Sequence, residues 1–383
     1  MTGSGISRRR FLGRTGLAAA GVAVGGTALG SLATRAPAGA AGWWVPAEEA
    51  AHRRTWMAWP SSTSIWGSRL LPRIQGDIAR LAKAIARHEP VSMLAAGPSN
   101  AKTARNRCGP NVTVIASIPV NDCWVRDSGP LFRTNGTGGR DAIGLNFNGW
   151  GAKQMAGKDR HVAERIAALP RVGLPFAEAD VVGEGGGIEY DGDGTIMATE
   201  SCWVNPNRNP GKTRDQVEAE LLARFGATKM IWVSPGIRGQ DITDAHIDAT
   251  SRFVRPGVVA VQVPPADRTD VWAVDARAQL ATLQDATDAR GRPLQIIRIG
   301  GPDVLPRWPE ERWDTFVDSY VNWVVTNSAV ITVQFGDAAK DAAARSAIRS
   351  AFPGRSVVQL NLDQLHGEGG GGAHCVTMQE PMP

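Results

Sequence analysis

The chain is short of the features that mark several large protein classes. Four cysteines in 383 residues are too few for a disulfide-built scaffold. No His-Glu-x-x-His and no paired Cys-x-x-Cys occur, so the common zinc spacings are missing and no metal is expected. No Gly-Lys-Ser/Thr follows either glycine run, Gly185 to Gly187 or Gly369 to Gly372, which argues against a phosphate loop. The apolar stretch from Gly16 to Leu32 spans about 17 residues and is built of Gly and Ala more than Leu, short and weak for a membrane span. With 43% apolar and 21% charged residues, the composition is that of a globular chain rather than a disordered segment or a coiled coil.

An excess of basic residues is present, 42 Lys+Arg against 37 Asp+Glu. It sits at one end. Residues 1–41 hold Arg8, Arg9, Arg10, Arg14 and Arg35 and no acid, and without those five the count is 37 basic against 37 acidic. A nucleic-acid partner is therefore not expected. The segment Ser7-Arg8-Arg9-Arg10-Phe11-Leu12, followed by the weakly apolar stretch and small residues from Ala36 to Ala41, resembles a twin-arginine export signal. Cleavage is expected after Ala38, Ala40 or Ala41. This makes 1–41 a signal peptide and 42–383 a single catalytic domain, with the Tat translocon as export partner and an extracellular, periplasmic or cell-wall destination. The lack of Cys at the cleavage region argues against a lipid anchor.

Beyond the signal, helical spacing of apolar residues recurs five times: Leu70 to Arg87, Arg160 to Leu169, Arg214 to Phe225, Ala276 to Ala289 and Ala338 to Phe352. Each is followed by a short β-type run, at Val91 to Leu94, Ala179 to Val182, Met230 to Val233, Leu294 to Ile297 and Val357 to Leu360. In four units a polar loop and a strand-turn-strand pattern come next, around Gly129-Pro130, Asp191 to Gly194, Pro256-Gly257 and Thr326 to Ser328. The fifth, from His374, runs into the C-terminus, and Thr55 to Trp59 is the candidate strand to complete it. The extra hairpin argues against a doubly wound sheet or an eight-fold barrel. Five such units around an axis would gather their polar loops at one end.

Those loops carry Asn121-Asp122-Cys123-Trp124-Val125-Arg126-Asp127, Glu184-Gly185-Gly186, Thr243-Asp244-Ala245-His246-Ile247-Asp248 and Gly369 to Cys375. If His246 to Asp248 is a strand, its period of two puts His246 and Asp248 on one face. A single Cys with His and carboxylates on separate loops fits a cysteine nucleophile with histidine as acid and base. Plainer readings compete. Asp127 could pair with Arg126 or cap a turn, the glycine runs could be connectors, and Cys375 could be a small buried hydrophobe. His374 would alternate away from Cys375 and serve structure.

Taken in order, Asn121-Asp122-x-Trp124-x-Arg126-Asp127-x-Gly129-Pro130, Glu184-Gly185-Gly186, Asn205 to Pro210, Thr243-Asp244-x-His246-Ile247-Asp248, Arg252 to Gly257, Ser319-Tyr320-Val321-Asn322 and Gly370-Gly371-x-x-His374-Cys375 resemble the agmatine deiminase family, whose scaffold bacterial peptidylarginine deiminases share. Three positions depart from its usual pattern: Ala245 stands for Gly, Gly372 for Asn, and Ala373 for a larger aliphatic residue. The resemblance implies an α/β fold, a five-bladed pseudo-symmetric α/β-propeller of the pentein type. It also implies no cofactor, and a small cationic guanidine substrate. A homo-oligomer stays open. Residue by residue, it implies that Asp127 and Asp248 hold the guanidinium, Cys375 attacks its carbon, His246 serves as acid and base, and Glu184 orients His246. Asp122, Trp124 and Trp150 lie in segments that could receive a distal amine, though each could equally be core or turn structure. Agmatine is the expected substrate. A secreted peptidylarginine deiminase is the alternative, and a non-catalytic guanidine-binding protein a third reading.

Overall fold

A computed structural model describes residues 42–383 apart from 235, 237, 238, 240 and 310–315. The export-signal reading of residues 1–41 lies outside the described residues. Among them, no helix is long and apolar enough to cross a membrane.

Strand β1 (His52–Ala58) is followed by helix α1 (Thr63–Ile85), β2 (Val91–Leu94), α2 (Gly97–Cys108) and β3 (Val112–Ile115). Then come β4 (Leu131–Thr134), β5 (Arg140–Gly144), α3 (Val162–Ala167) and β6 (Phe176–Glu178). A third group is β7 (Ile188–Tyr190), β8 (Thr195–Ala198), α4 (Arg214–Phe225) and β9 (Lys229–Trp232). The fourth is β10 (Ser251–Arg255), β11 (Val258–Val263), α5 (Val271–Asp285) and β12 (Gln295–Gly300). The fifth is β13 (Val324–Val325), β14 (Ala329–Val333), α6 (Ala338–Ala351) and β15 (Ser356–Leu360), and β16 (Met378–Pro381) ends the chain.

These strands form separate small sheets, and one pattern repeats in each. The first two strands of β4-β5-β6, β7-β8-β9, β10-β11-β12 and β13-β14-β15 pair antiparallel and the second two parallel. A parallel pair needs a crossover, and the helix of each unit supplies it. The remaining sheet, β16-β1-β2-β3, has the same order because C-terminal β16 pairs antiparallel with β1 and β1 parallel with β2. The strand expected to complete the last unit is thus β1.

Local chemistry accounts for the elements. In α4, Thr213 and Gln216 form a capping box, Gly226 ends the helix at φ 63, and Val217, Leu221 and Phe225 are buried. Asp270 and Asp337 cap α5 and α6 by accepting hydrogen bonds from backbone N–H groups. The β7–β8 turn is held by Asp191, whose Oδ1 accepts from Asp193 N and Thr195 N. The apolar strand faces and helix stripes merge into three buried clusters.

Three expectations are corrected. The first hairpin turns at Asn135 to Gly139, where Asn135 Oδ1 accepts from Thr137 N and Gly139 N, and the expected turn at Gly129-Pro130 lies directly after a helical turn, Val125–Ser128. The strand expected at Ala179 to Val182 lies earlier, at β6. The pair α2 and β3 was not anticipated, since α2 buries only the small Ala101, Ala104 and Cys108 and shows no strong apolar stripe.

The closure of β16 on β1 is pinned by charge. Glu380 is fully buried and accepts from Trp56 Nε1 at 3.1 Å and Arg140 Nη1 at 2.9 Å, with Arg54 Nε at 3.2 Å. Removing one partner of a buried ion pair leaves the other uncompensated. Glu380→Ala is expected to lower stability by about 3 kcal/mol or more, read from the midpoint of urea unfolding. A loss under about 1 kcal/mol would show that this contact is dispensable.

Candidate active site

The polar loops converge. Asp127 sits on the helical turn ahead of β4, Glu184 ahead of β7, His246 and Asp248 ahead of β10, and Cys375 ahead of β16. Asp127, Glu184, His246 and Asp248 are buried, while Cys375 is partly exposed. His246 stands between two carboxylates: Nε2 is 3.3 Å from Glu184 Oε2 and Nδ1 is 3.8 Å from Asp127 Oδ1. Asp248 Oδ2 lies 3.6 Å from Cys375 Sγ. A Cβ on Gly186 would fall 2.7 Å from His246 Nδ1, 2.9 Å from Asp127 Oδ1 and 3.1 Å from Asp248 Oδ2, so only glycine lets this loop lie against all three.

Asp127 is not paired with Arg126, whose Nε reaches His374 O and whose Nη1 reaches Met378 Sδ. Its oxygens accept from Gly186 N at 3.1 Å and Trp150 Nε1 at 2.9 Å. His246 and Asp248 face the site together, but by a 3₁₀ turn over Ile247–Ala249 instead of a strand, with Ile247 buried in the core. Residues 373–376 are likewise a turn, so strand alternation does not direct His374 away from the site. Its Nδ1 lies 2.8 Å from Asp248 Oδ2.

Asp122, Trp124 and Trp150 are placed unequally. Asp122 accepts from Trp66 Nε1 at 2.8 Å, Cys123 N at 2.8 Å, Trp124 Nε1 at 3.0 Å and Gln154 Nε2 at 3.0 Å. Its acceptor capacity is filled within the protein. Asp122 therefore holds indoles instead of offering a carboxylate to an amine. Trp124 packs beside Trp66 and Trp150, and a Cβ on Gly371 would meet its ring.

Several partners went unnoticed in the sequence. Asn322 Nδ2 donates to Cys375 Sγ at 3.3 Å, as Gly372 N does at 3.4 Å. A Cβ on Gly372 would run into Asn322 Oδ1. Asn322 closes the Ser319-Tyr320-Val321-Asn322 motif, the one signal that could have found it. Arg208 Nε lies 2.9 Å from both Glu184 oxygens, and its Nη1 is 2.7 Å from Asp244 Oδ2. Ala245, at the position where the resembling family has glycine, adopts φ 72, and Asp244 adopts φ 61. Among the described residues two groups, Glu184 with Cys202 and His246, and Glu48 with Glu189 and His374, have ligand atoms close enough to share a metal ion. Each already has a guanidinium against it, Arg208 on Glu184 and Arg252 on both Glu48 and Glu189.

Electrostatics sets the resting protonation. Burial pushes the Cys375 thiol well above its ordinary pKa, and the nearby Asp248 and Asp127 push it the same way. Burial acts against a charged His246, but Asp127, Cys202 and Glu184 together hold its pKa well above the ordinary value. Burial raises Asp127 to about 6, opposed by His246 and reinforced by Glu184 and Asp248. Glu184 is held below the usual range because Arg208 and His246 outweigh its burial. The resting site thus holds a thiol, an imidazolium and a surplus of carboxylate, arranged for a cation.

A partly exposed thiol against one carboxylate, with a histidine held between two others on loops from repeated sheets, defines the site of a hydrolase of mixed α/β fold. Residues 44–381 match the model of the Porphyromonas-type peptidyl-arginine deiminase family, and the chain belongs to that family. A Streptomyces coelicolor relative is 37% identical over 349 residues, covering 88% of this chain and 98% of its own. An agmatine deiminase of Stutzerimonas stutzeri is 35% identical, with 89% of this chain and 96% of that protein covered. The structure is similar to an agmatine deiminase of Enterococcus faecalis, with a TM-score of 0.80 at 29% identity, covering 89% of this chain and 96% of that one.

The raised thiol has a direct consequence. Without ligand, Cys375 alkylation by iodoacetamide is expected to be slow at pH 7 and to rise about tenfold per pH unit through pH 9, because only the thiolate reacts. Asp248→Asn removes a negative charge, lowers the thiol pKa and is expected to speed alkylation at pH 7. A plateau below pH 8, or slower alkylation in that variant, would contradict the assignment.

Proposed function

We propose that the protein hydrolyses the guanidinium of agmatine to N-carbamoylputrescine and ammonia. The observation that carries this reading is the pair of buried carboxylates, Asp127 and Asp248, converging beside a partly exposed thiol with a histidine held cationic next to them. A guanidinium is planar, permanently charged and matched to carboxylates that accept forked hydrogen bonds. The agmatine deiminases among its relatives support agmatine as the substrate.

In this mechanism Asp127 and Asp248 hold the substrate's nitrogens. The arriving cation offsets the carboxylates that keep Cys375 protonated, and the thiol releases its proton to solvent, since His246 is already protonated. Cys375 Sγ bonds to the central carbon, the C–N bond breaks, and the departing nitrogen takes a proton from His246 to leave as ammonia. His246, oriented by Glu184, then takes a proton from water. The hydroxide adds to the thiouronium carbon, the C–S bond breaks as the adduct's O–H proton passes to sulfur, and the neutral ureido product leaves with the Cys375 thiol restored.

We infer further that the five sheets are blades of a pseudo-symmetric propeller. Support comes from the antiparallel–parallel order common to all of them and from closure of the chain by β16 on β1. Export by the twin-arginine pathway is supported by Arg8-Arg9-Arg10 and the small residues before Gly42. N-terminal sequencing of protein recovered outside the cytoplasm should begin between residues 39 and 42. A chain outside that still begins at Met1 would refute cleavage.

Ammonia release from agmatine, free arginine and an arginyl peptide tests the substrate. Agmatine is expected to give the highest kcat/KM and Cys375→Ser to abolish turnover, while preference for the peptide would make the protein a peptidylarginine deiminase. Because Asp127 in the free enzyme ionises at about 6, its charge is present above that pH and is lost below it. The value of kcat/KM should fall as pH drops through about 6.

A further inference from the structure

The two carboxylates converging near Cys375 are held differently. Both oxygens of Asp127 accept hydrogen bonds from the protein. Asp248 is held at one end: Oδ2 is 2.8 Å from His374 Nδ1, whereas Oδ1 is buried and unpartnered. An ionised oxygen shut away from water without a donor is costly unless a ligand supplies one. Asp248 remains ionised, since His374, His246 and Arg252 outweigh its burial.

His374 is itself fixed from behind. Its Nε2 lies 3.0 Å from Glu48 Oε2, on the segment ahead of β1. Glu48 is bound in turn by Arg252 and accepts from Val325 N at 3.2 Å. Each ring nitrogen thus faces a carboxylate oxygen, so the ring is held at both ends when protonated and through Nδ1–H alone when neutral with its proton there. Burial and the guanidiniums of Arg126 and Arg252 lower the His374 pKa against the pull of Glu48 and Asp248. The Nδ1–H bond to Oδ2 is the contact on which the orientation of Asp248 depends.

We propose that His374, anchored by Glu48, is a positioning residue that clamps Asp248 Oδ2 and so keeps Oδ1 presented to the substrate's guanidinium beside Cys375. This deepens the guanidine-hydrolase reading and rests on it. Without the Nδ1 donor, Asp248 is free to turn, and the Cys375 thiol 3.6 Å from Oδ2 becomes a competing partner.

Two amide variants separate the halves of the clamp. In His374→Asn the side-chain N–H₂ replaces Nδ1 and still reaches Asp248, and in His374→Gln it replaces Nε2 and reaches only toward Glu48. His374→Gln is expected to raise KM about tenfold or more and to lower kcat, while His374→Asn, which keeps the Asp248 contact and loses only the Glu48 anchor, raises KM no more than severalfold. Equal rescue by Gln and Asn, or loss of kcat at unchanged KM in the Gln variant, overturns the proposal. Should either variant fail to fold, Glu48→Gln gives a second reading: KM is expected to rise severalfold, and an unchanged KM overturns the anchoring role. The measurements use whichever of agmatine, free arginine and arginyl peptide the wild type turns over. Failure of the agmatine assignment therefore leaves this test intact. If none is turned over, the guanidine-hydrolase reading itself fails, and calorimetric binding of the same compounds to Cys375→Ser and to its His374→Gln and His374→Asn derivatives replaces KM.

Discussion

Negative charge sequestered from water is the constraint around which this molecule is organised. A buried carboxylate persists as an anion only with a cation or several donors against it. Around the site the protein supplies its own guanidiniums: Arg208 to Glu184 and Asp244, Arg252 to Glu48 and Glu189, and Arg140 to Glu380. Asp127 and Asp248 are treated otherwise. Among the described residues the basic side chains against them are the imidazoles of His246, held cationic, and His374, whose pKa is lowered, and Asp248 keeps one oxygen without a partner. A guanidine substrate would complete at these two residues the pairing that Arg208 and Arg252 make elsewhere, and the same charge that binds it keeps the thiol at rest until it arrives.

Keeping several loops this close strains the backbone. Asn146, Trp150, Ala152, Asp244 and Ala245 adopt positive φ without being glycine, and all lie on two loops that meet at the site. Each such residue costs on the order of 1 to 3 kcal/mol and persists only where its surroundings over-determine it. The surroundings here are specific. Asn148 Nδ2 donates to Asn207 O at 3.0 Å, while Lys153 and Arg208 both hold Asp244 Oδ2, at 2.8 and 2.7 Å. Arg208 also binds Glu184, and Trp150 binds Asp127, so one strained loop donates directly to Asp127 and the other, through Asp244, holds the arginine that binds Glu184.

Much of this was legible in the sequence where the signal is local. The bounds of α4 follow from Thr213, Gln216 and Gly226, and the β7–β8 and β10–β11 turns follow from Asp-Gly and Pro-Gly pairs. Residue types on separate loops suggest a cysteine, a histidine and carboxylates, reading the units as repeats brings those loops together, and the resemblance to the agmatine deiminase family is what picks out Asp127, Glu184, His246, Asp248 and Cys375. What stayed hidden depends on distance along the chain or on turns. His374 and Glu48 are 326 positions apart, and nothing local in either pairs them. Alternation misassigned His374 because residues 373–376 are a turn. Asp122 could be read either as an amine site or as core or turn structure, because two of its donors, Trp66 and Gln154, lie 56 and 32 positions away.

The repeat explains how unlike groups reach one place. Asp127, Glu184, Asp248, Asn322 and Cys375 each lie a few residues ahead of the first strand of an antiparallel pair: β4, β7, β10, β13 and β16. One structural position is filled with two carboxylates nearby in chain order, a carboxylate preceded by histidine, an amide and a thiol. The strands that hold these positions are specified by their own apolar faces and ladder hydrogen bonds, which take no account of the loop side chains. Fold and chemistry are therefore specified by different residues. The exception is the loop from 146 to 157, which lies between β5 and α3, carries Trp150 and Gln154, and contains three of the strained residues. It has no counterpart that brings a residue to the repeated position, and its contacts with Asp127 and Asp122 tie the non-repeated part of the molecule directly to the cation site.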